Sequence, residues 1–141
     1  MKRLVVDAST LTSGVASRHG GGAPWLLLLA LLDFEFEAIV CPTLLREFGD
    51  ALGNRYFLER FDARDLEGIV ANVEEAATVM DDPGDPPELL RDPNDDYLVA
   101  LARESGAEAI VSGDKDLLDH PDLEPPAIGA RAACRLLGLL D

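Results

Sequence analysis

Two acidic residues follow short apolar runs that are typical of buried strands. Asp7 comes directly after Leu4-Val5-Val6, and Asp114 follows Ile110-Val111 after Ser112 and Gly113. In an open α/β sheet, ligands bind in the crevice outside the carboxyl ends of the strands. Asp7 and Asp114 are therefore candidates for catalysis or binding, although Asp7 alone could equally cap a turn or a helix.

A third acid, Glu47, lies in a helix predicted from Pro42 to about Leu52. Glu47 follows Leu44 by three residues and precedes Ala51 by four, which places it on a flank of the apolar stripe. A carboxylate in that position either emerges at the edge of the helix or points into a cleft. The helix pattern alone leaves both alternatives open.

A fourth acid comes from a helix predicted from Asp92 to Ser105. Asp92-Pro93 matches an N-cap followed by proline at the first helical position, so we expect a structural role for Asp92. Asp95 shares a face with apolar residues, whereas Asp96 is predicted to face water. The apolar residues on the face of Asp95 are Leu98, Val99 and Ala102. Helical geometry therefore selects Asp95 as the acid that leans toward the sheet.

The acids after the second apolar run differ in their predicted roles. Asp114 is nearer the strand end and is the stronger candidate for chemistry. Asp116 is predicted to cap the short helical turn that contains Leu117 and Leu118.

Asp7, Glu47, Asp95 and Asp114 belong to separate predicted elements that a doubly wound topology can bring to one edge. Carboxylates that share a cleft repel one another and raise each other's pKa. Hard divalent cations such as Mg²⁺ or Mn²⁺ remove that conflict, because they prefer oxygen ligands. One or two such ions could activate a water molecule for phosphodiester cleavage and stabilise the departing oxygen.

Strands alternate with helices along the chain, which predicts an α/β fold with a central parallel sheet and helices on both faces. With 141 residues, 48% of them apolar, we expect one domain spanning residues 1–141. Gly14 and Gly20–Gly22 predict a flexible loop before a helix at Ala23–Leu32. Cys41 and Cys134 are too few and too far apart for a disulfide framework or a zinc site, and we expect reduced, buried thiols.

The apolar run Ala23–Leu32 is shorter than the roughly 20 residues that a membrane span needs. We expect no membrane association, no signal peptide and a cytoplasmic location. This apolar run could form the interface of a homodimer, although burial in the core explains its composition equally well.

The net charge of −15 argues against a nucleic-acid partner, since phosphate binding usually requires a basic surface. Few basic side chains are candidates for phosphate contacts. They are Arg18, His19, Arg46, Arg55 and Lys115. His19 has no partner at metal-ligand spacing and is predicted to lie on the surface, like His120.

Four short motifs in this order resemble those of the PIN domain family. They are Val5-Val6-Asp7-Ala8-Ser9, Pro42-Thr43-Leu44-Leu45-Arg46-Glu47, Arg91-Asp92-Pro93-Asn94-Asp95-Asp96, and Ile110-Val111-Ser112-Gly113-Asp114-Lys115-Asp116-Leu117-Leu118. The resemblance covers essentially the whole chain. It is strongest to the toxin components of toxin–antitoxin systems, relatives of the VapC-type toxins.

The resemblance implies a three-layer α/β/α fold and a Mg²⁺- or Mn²⁺-dependent ribonuclease. It matches Asp7, Glu47, Asp95 and Asp114 to the family's four acids and Asp116 to an accessory acid at the metal. Ser9 and Ser112 would lie just outside the metal ligands. The implied partners are an RNA substrate and a proteinaceous antitoxin that covers the site, and a basic antitoxin would suit an acidic toxin.

Two other classes of function are consistent with parts of the sequence. A non-catalytic or degenerate PIN-like module acting through protein partners suits the acidic charge, whereas the complete set of acids opposes it. A phosphatase or phospho-receiver domain with Asp7 as nucleophile or acceptor fits poorly. Such phosphatases carry a second aspartate where this chain has Ser9, and the N-terminus is too short for the paired acids of a receiver.

Overall fold

The computed structural model describes residues 1–84 and 95–141, and strands alternate with helices through these ranges. In chain order the elements are β1 (Arg3–Val6), α1 (Ala8–Ala16), α2 (Ala23–Leu32), β2 (Glu37–Val40), α3 (Pro42–Leu52), α4 (Arg55–Leu58), α5 (Ala63–Ala76), β3 (Thr78–Val79), α6 (Asp96–Ser105), β4 (Ala109–Val111), α7 (Lys115–Leu118), β5 (Ala127–Ile128) and α8 (Ala130–Leu136).

The strands form one sheet in the order β3-β2-β1-β4-β5, and every neighbouring pair is parallel. Val5 at the centre pairs with Ile39 of β2 on one side and with Ile110 of β4 on the other. These side chains are almost fully buried, because helices cover both faces of a parallel sheet. The predicted α/β/α fold with a central parallel sheet is confirmed.

The strand order reverses between β1 and β4. The chain moves from β1 outward to β2 and β3, and later from β4 outward to β5 in the opposite direction. Because crossovers between parallel strands are right-handed, the helices that connect β1 to β2 and β2 to β3 lie on the face of the sheet opposite to α6, which connects β3 to β4. A crevice opens at the carboxyl ends of strands where the order reverses. Asp7 and Asp114 follow the two strands that border this point.

The first helix differs from the sequence-based expectation. Gly14 and Gly20–Gly22 predicted a flexible loop before α2, whereas residues 8–16 form α1. Asp7 caps this helix, and the helix residues Leu11 and Val15 are buried in the core. The prediction was wrong at Gly14, which lies where α1 packs against α2. A Cβ atom at position 14 would approach the carbonyl oxygen of Pro24 to 2.8 Å, so glycine is required by close packing.

The apolar helix α2 packs against α1, α5 and α8. Leu27, Leu28, Ala30 and Leu31 are buried, whereas Leu29 is partly exposed. Burial in the core therefore accounts for most of this run. Among the helices of the described ranges, none combines the length and apolar character that crossing a membrane would need.

Helix α6 packs against β1, β2 and β4. Its residues from Asp96 to Ala102 are all buried, so the helix lacks a broad exposed face over its first two turns. The prediction that Asp96 faces water is therefore wrong: it is only 2% exposed. The predicted end of this helix at Ser105 is confirmed, and Gly106 terminates it in the left-handed conformation with φ of 71°. The predicted start of this helix at Asp92-Pro93 lies outside the described residues.

Both cysteines are free thiols and buried, as the sequence predicted. Cys41 is fully enclosed at the end of β2. Burial raises the pKa of this thiol to about 12, since a thiolate would lose its hydration.

We expect Gly14→Ala to destabilise the fold. The added methyl group has to push α1 away from the backbone of α2, and such overpacking typically costs about 1–3 kcal/mol. The better helix propensity of alanine, about 1 kcal/mol, offsets part of that cost. Urea unfolding followed by circular dichroism should show a lower midpoint than in the wild type.

Gly68→Ala is the matched control, because Gly68 also lies inside a helix but a Cβ atom there has no neighbour within 4 Å. This variant should be as stable as the wild type or more stable. Equal midpoints for the two alanine variants would contradict the proposed close contact between α1 and α2.

Candidate metal centre at the carboxyl edge of the sheet

Asp7 is held at the point where the strand order reverses. Its backbone N–H donates to the carbonyl of Val111 at 2.9 Å, which extends the pairing of β1 with β4 by one residue. Its backbone carbonyl accepts the first bonds of α1, and its side chain accepts from the N–H of Ser9. Asp7 thus ends a strand and caps a helix, and both roles fix its carboxylate at the edge of the sheet.

Two serine hydroxyl groups orient the Asp7 carboxylate. Ser112 Oγ donates to Asp7 Oδ2 at 2.7 Å, and Ser9 Oγ donates to the same oxygen at 3.1 Å. Ser112 is fully buried, and its Oγ also accepts from the backbone N–H of Asp114 at 3.0 Å. A chain of hydrogen bonds therefore runs from the Asp114 backbone through Ser112 to Asp7.

Asp114, and not Asp116, caps the short helix α7. Asp114 Oδ1 accepts from the backbone N–H of Asp116 at 2.9 Å. The prediction that Asp116 caps this turn is wrong, because the helix begins one residue earlier, at Lys115. Both carboxylates are partly buried.

Glu47 accepts a hydrogen bond from the hydroxyl of Tyr97 in α6. Tyr97 is only 8% exposed. Burial first, and then the hydrogen bond to Glu47, raise the pKa of this phenol, which therefore stays protonated and remains a donor. Tyr97 thus joins helices from opposite faces of the sheet. The spacing of residues in α6 does not indicate this role, because Tyr97 directly precedes an apolar run and resembles one more member of it.

Helix α3, which carries Glu47, receives its cap from a distant residue. Cys41 at its N-cap position makes no side-chain bond to the helix. Instead, Asp82 Oδ1 accepts from the backbone N–H of Thr43 at 2.9 Å. This hydrogen bond is the main reason why the pKa of Asp82 is lowered. The segment after β3 therefore helps to anchor the helix that presents Glu47.

The four predicted acids line one cleft of about 710 Å³ between α1, α3, α6 and the start of α7. Its walls in the described ranges are Asp7, Ala8, Ser9, Thr12, Ser13, Glu47, Ala51, Asp95, Gly113 and Asp114. Of the two alternatives for Glu47, the cleft is the one observed. Asp116 is not among the described residues of this wall, and Ser112 lies beneath it, bonded to Asp7.

The donor set suits a hard divalent cation, because all four acids offer carboxylate oxygens. A carboxylate has about four lone-pair sites, and described residues use three of those of Asp7. Within residues 1–84 and 95–141, no three His, Cys, Asp or Glu side chains form a group arranged to hold a metal ion. The match between a divalent cation and this site therefore rests on the carboxylate chemistry of the four acids and on the cleft that they share.

None of the predicted phosphate-binding residues is among the described walls of this cleft. Arg46 and Lys115 are exposed beside Glu47 and Asp114 in the sequence. Arg55 forms an ion pair with Glu59 at 2.6 Å. Arg18 and His19 line a second pocket, beyond the C-terminal end of α1.

The chain belongs to the PIN domain family, whose model matches residues 3–116. PIN domains are generally nucleases and typically use divalent metals, so membership indicates a nuclease. The matched residues run from the start of β1 to Asp116, and they include all five acids predicted from the sequence.

A solved structure supports the fold across nearly the whole chain. The crystal structure of PAE2754 from Pyrobaculum aerophilum superimposes with a TM-score of 0.68, covering 99% of this chain and 91% of that one at 20% sequence identity. At that identity the likeness concerns the fold alone. No curated protein sequence matches the chain significantly.

We expect Ser112→Ala to destabilise the protein by about 1–3 kcal/mol. The substitution removes a buried hydroxyl on which both the Asp114 N–H and the Asp7 carboxylate depend, and loss of a buried partner costs about that much. Urea unfolding of the metal-free protein would measure the change.

Ser9→Ala provides the comparison, because Ser9 donates to the same oxygen of Asp7 but is exposed. Its cost should stay within about 0.5 kcal/mol, as for most surface substitutions. Equal losses in the two variants would show that burial of Ser112 does not determine its contribution.

Proposed function

We propose that this chain is a Mg²⁺- or Mn²⁺-dependent endoribonuclease and the toxin of a type II toxin–antitoxin system. The observation that carries the proposal is the cleft in which Asp7, Glu47, Asp95 and Asp114 meet. These residues come from separate elements of a PIN domain, and they converge where the strand order reverses.

Asp7, Glu47, Asp95 and Asp114 would hold the cation, with Asp116 as an accessory acid. A bound divalent cation supplies an activated water and stabilises the oxygen that leaves in phosphodiester hydrolysis. The protein contributes the orientation of the acids. Ser9 and Ser112 hold the Asp7 carboxylate, and such supporting partners of ligands typically matter about 10–100-fold for affinity or activity.

Tyr97 contributes in the same way on the other side of the cleft. Its hydroxyl donates to Glu47 and thereby fixes the direction in which that carboxylate faces. Because the phenol is buried and protonated, it supplies a hydrogen bond without adding charge to a site that is already acidic. We assign Tyr97 as a positioning residue for Glu47.

The acidic charge bears on the proposed partners. At a net charge of −15, the surface favours a basic protein partner, and a cognate antitoxin of that character would be attracted to it. RNA, in contrast, has to reach the cleft against the repulsion of this negative charge. RNA binding in the cleft therefore depends more strongly on bound cations. A homodimer in the cytoplasm completes the proposal, with the partly exposed residues of α2 as one candidate surface.

A non-catalytic PIN-like module that acts through protein partners is the second candidate. The specific observation that favours it is the same net charge of −15, which is unusual for a protein that binds phosphates. Binding of a cation through Asp7 separates the two candidates, because a degenerate module has no need of a functional metal site.

We expect Asp7→Asn and Asp95→Asn each to reduce metal-dependent RNA cleavage by a factor on the order of 100 or more, because each removes a charged oxygen from the cation site. The assay uses purified protein with structured and unstructured RNAs, with Mg²⁺, with Mn²⁺ and with a chelator. Cleavage should require the metal.

Asp33→Asn is the matched control, since Asp33 is an exposed aspartate between α2 and β2, toward the opposite edge of the sheet. It should cleave like the wild type. Retained cleavage in both Asp7→Asn and Asp95→Asn would disprove the assigned site. Calorimetry with Mn²⁺ tests the second candidate, which predicts no saturable binding that depends on Asp7.

A further inference from the structure

A second pocket of about 380 Å³ lies beyond the C-terminal end of α1. Its described walls combine basic and aromatic side chains. They are Ala16, Arg18, His19, Tyr56, Arg60 and Phe61. We call this set the arginine–aromatic pocket.

The two arginines of the pocket are stacked on aromatic rings. The guanidinium carbon of Arg18 lies 4.1 Å from the centroid of the Phe61 ring, and that of Arg60 lies 3.9 Å from the centroid of the Tyr56 ring. Arg60 also donates to the backbone carbonyl of Tyr56 at 2.9 Å. These contacts hold the planar cations in place without neutralising them.

In the part of the chain that the structure describes, no ion pair balances the charge of these arginines. Among the described residues, the ion pairs are formed by Lys2, Arg3 and Arg55, and none includes Arg18 or Arg60. Glu59, which precedes Arg60, bonds instead to Arg55 at 2.6 Å. A chain with 27 acidic and 12 basic residues thus places two unneutralised arginines in one pocket. Such a site attracts anions.

The pocket lies in line with the acidic cleft. Ser9, Thr12 and Ser13 line the cleft, and Ala16 lines the arginine–aromatic pocket. These positions are spaced as i, i+3, i+4 and i+7, so they share one face of α1. From Ser9 to Ala16 the helix rises about 10 Å. The opposite wall follows the same order, with Ala51 in the cleft and Tyr56 in the pocket.

We propose that the arginine–aromatic pocket is a binding subsite for single-stranded RNA, separated from the acidic cleft by the rise of α1 from Ser9 to Ala16, about 10 Å. Arg18 and Arg60 contact phosphate oxygens, and their stacked planes with Tyr56 give bases a surface on which to stack. The inference rests on the proposed ribonuclease function. It adds a binding site for the part of the RNA strand that extends out of the acidic cleft.

The surrounding charge favours a single strand over a duplex. A duplex presents phosphates on two strands, and the second strand would face a surface whose net charge is −15. A single strand can instead follow the face of α1 with its bases unpaired and free to stack. Two arginines stacked on rings within one pocket match that narrow footprint.

The test measures binding of a fluorescent single-stranded RNA in an Asp7→Asn background, which prevents cleavage. Adding Arg18→Gln and Arg60→Gln should weaken binding about tenfold, a loss comparable to that of one stacked base. Each lost phosphate contact should also reduce the slope of log affinity against log salt by about 0.7. Unlabelled duplex RNA should compete less well than unlabelled single strand.

Lys2→Gln with Arg135→Gln is the control that removes equal charge elsewhere. Lys2 lies before β1, at the amino edge of the sheet, and Arg135 lies on α8. Both are exposed, and binding should stay within about twofold of the parent. Circular dichroism and thermal unfolding of each variant would show that the fold is retained.

The outcomes separate this inference from the proposed function. The subsite would be overturned if the variant without Arg18 and Arg60 kept the RNA affinity and the salt slope while the wild type cleaved RNA. The ribonuclease proposal would then still hold, and a protein partner would be the better occupant of the pocket. RNA binding that depends on both arginines, in a protein that cleaves no RNA, would support the subsite and overturn the ribonuclease. A protein that neither binds nor cleaves RNA would overturn both.

Discussion

The site depends on the Ser112 hydroxyl, which joins the ends of two parallel strands at the point where the sheet reverses its order. It donates to Asp7 and accepts from the Asp114 backbone, so the two acids that follow β1 and β4 are positioned by one buried group. The backbone bond from Asp7 to Val111 makes the same connection. A parallel sheet with this topology offers one crevice, and these bonds determine which side chains enter it.

Much of this arrangement was predictable because the relevant signals are local. Asp7 and Asp114 follow short apolar runs, and a run of that kind at the end of a strand places the next polar residue at the sheet edge. Asp95 and Glu47 were found from helical periodicity, since each lies on or beside an apolar face. Once the order of the strands and helices was predicted, the four acids could be assigned to one cleft.

The errors arose where tertiary packing overrides a local pattern. Gly14 suggested a loop, but glycine at that position lets α1 approach the backbone of α2. Asp96 was predicted to face water because one face of an amphipathic helix usually does, whereas α6 is enclosed over its first two turns. Tyr97 adjoins an apolar run, and its bond to Glu47 crosses 50 positions of sequence. No spacing within a single element carries that information.

The close approach at Gly14 has a consequence for the spacing of the two pockets along α1. Because α1 lies so close to the Pro24 carbonyl and the Leu28 Cβ atom of α2 that no Cβ atom fits at position 14, its position leaves little room for adjustment. Its length is set by the rise of the α-helix, whatever residues it contains. The interval between the acidic cleft at one end of α1 and the stacked arginines beyond the other is therefore a property of the backbone. Substitutions on the faces of the two pockets can change the charge and shape of each pocket while that interval stays the same.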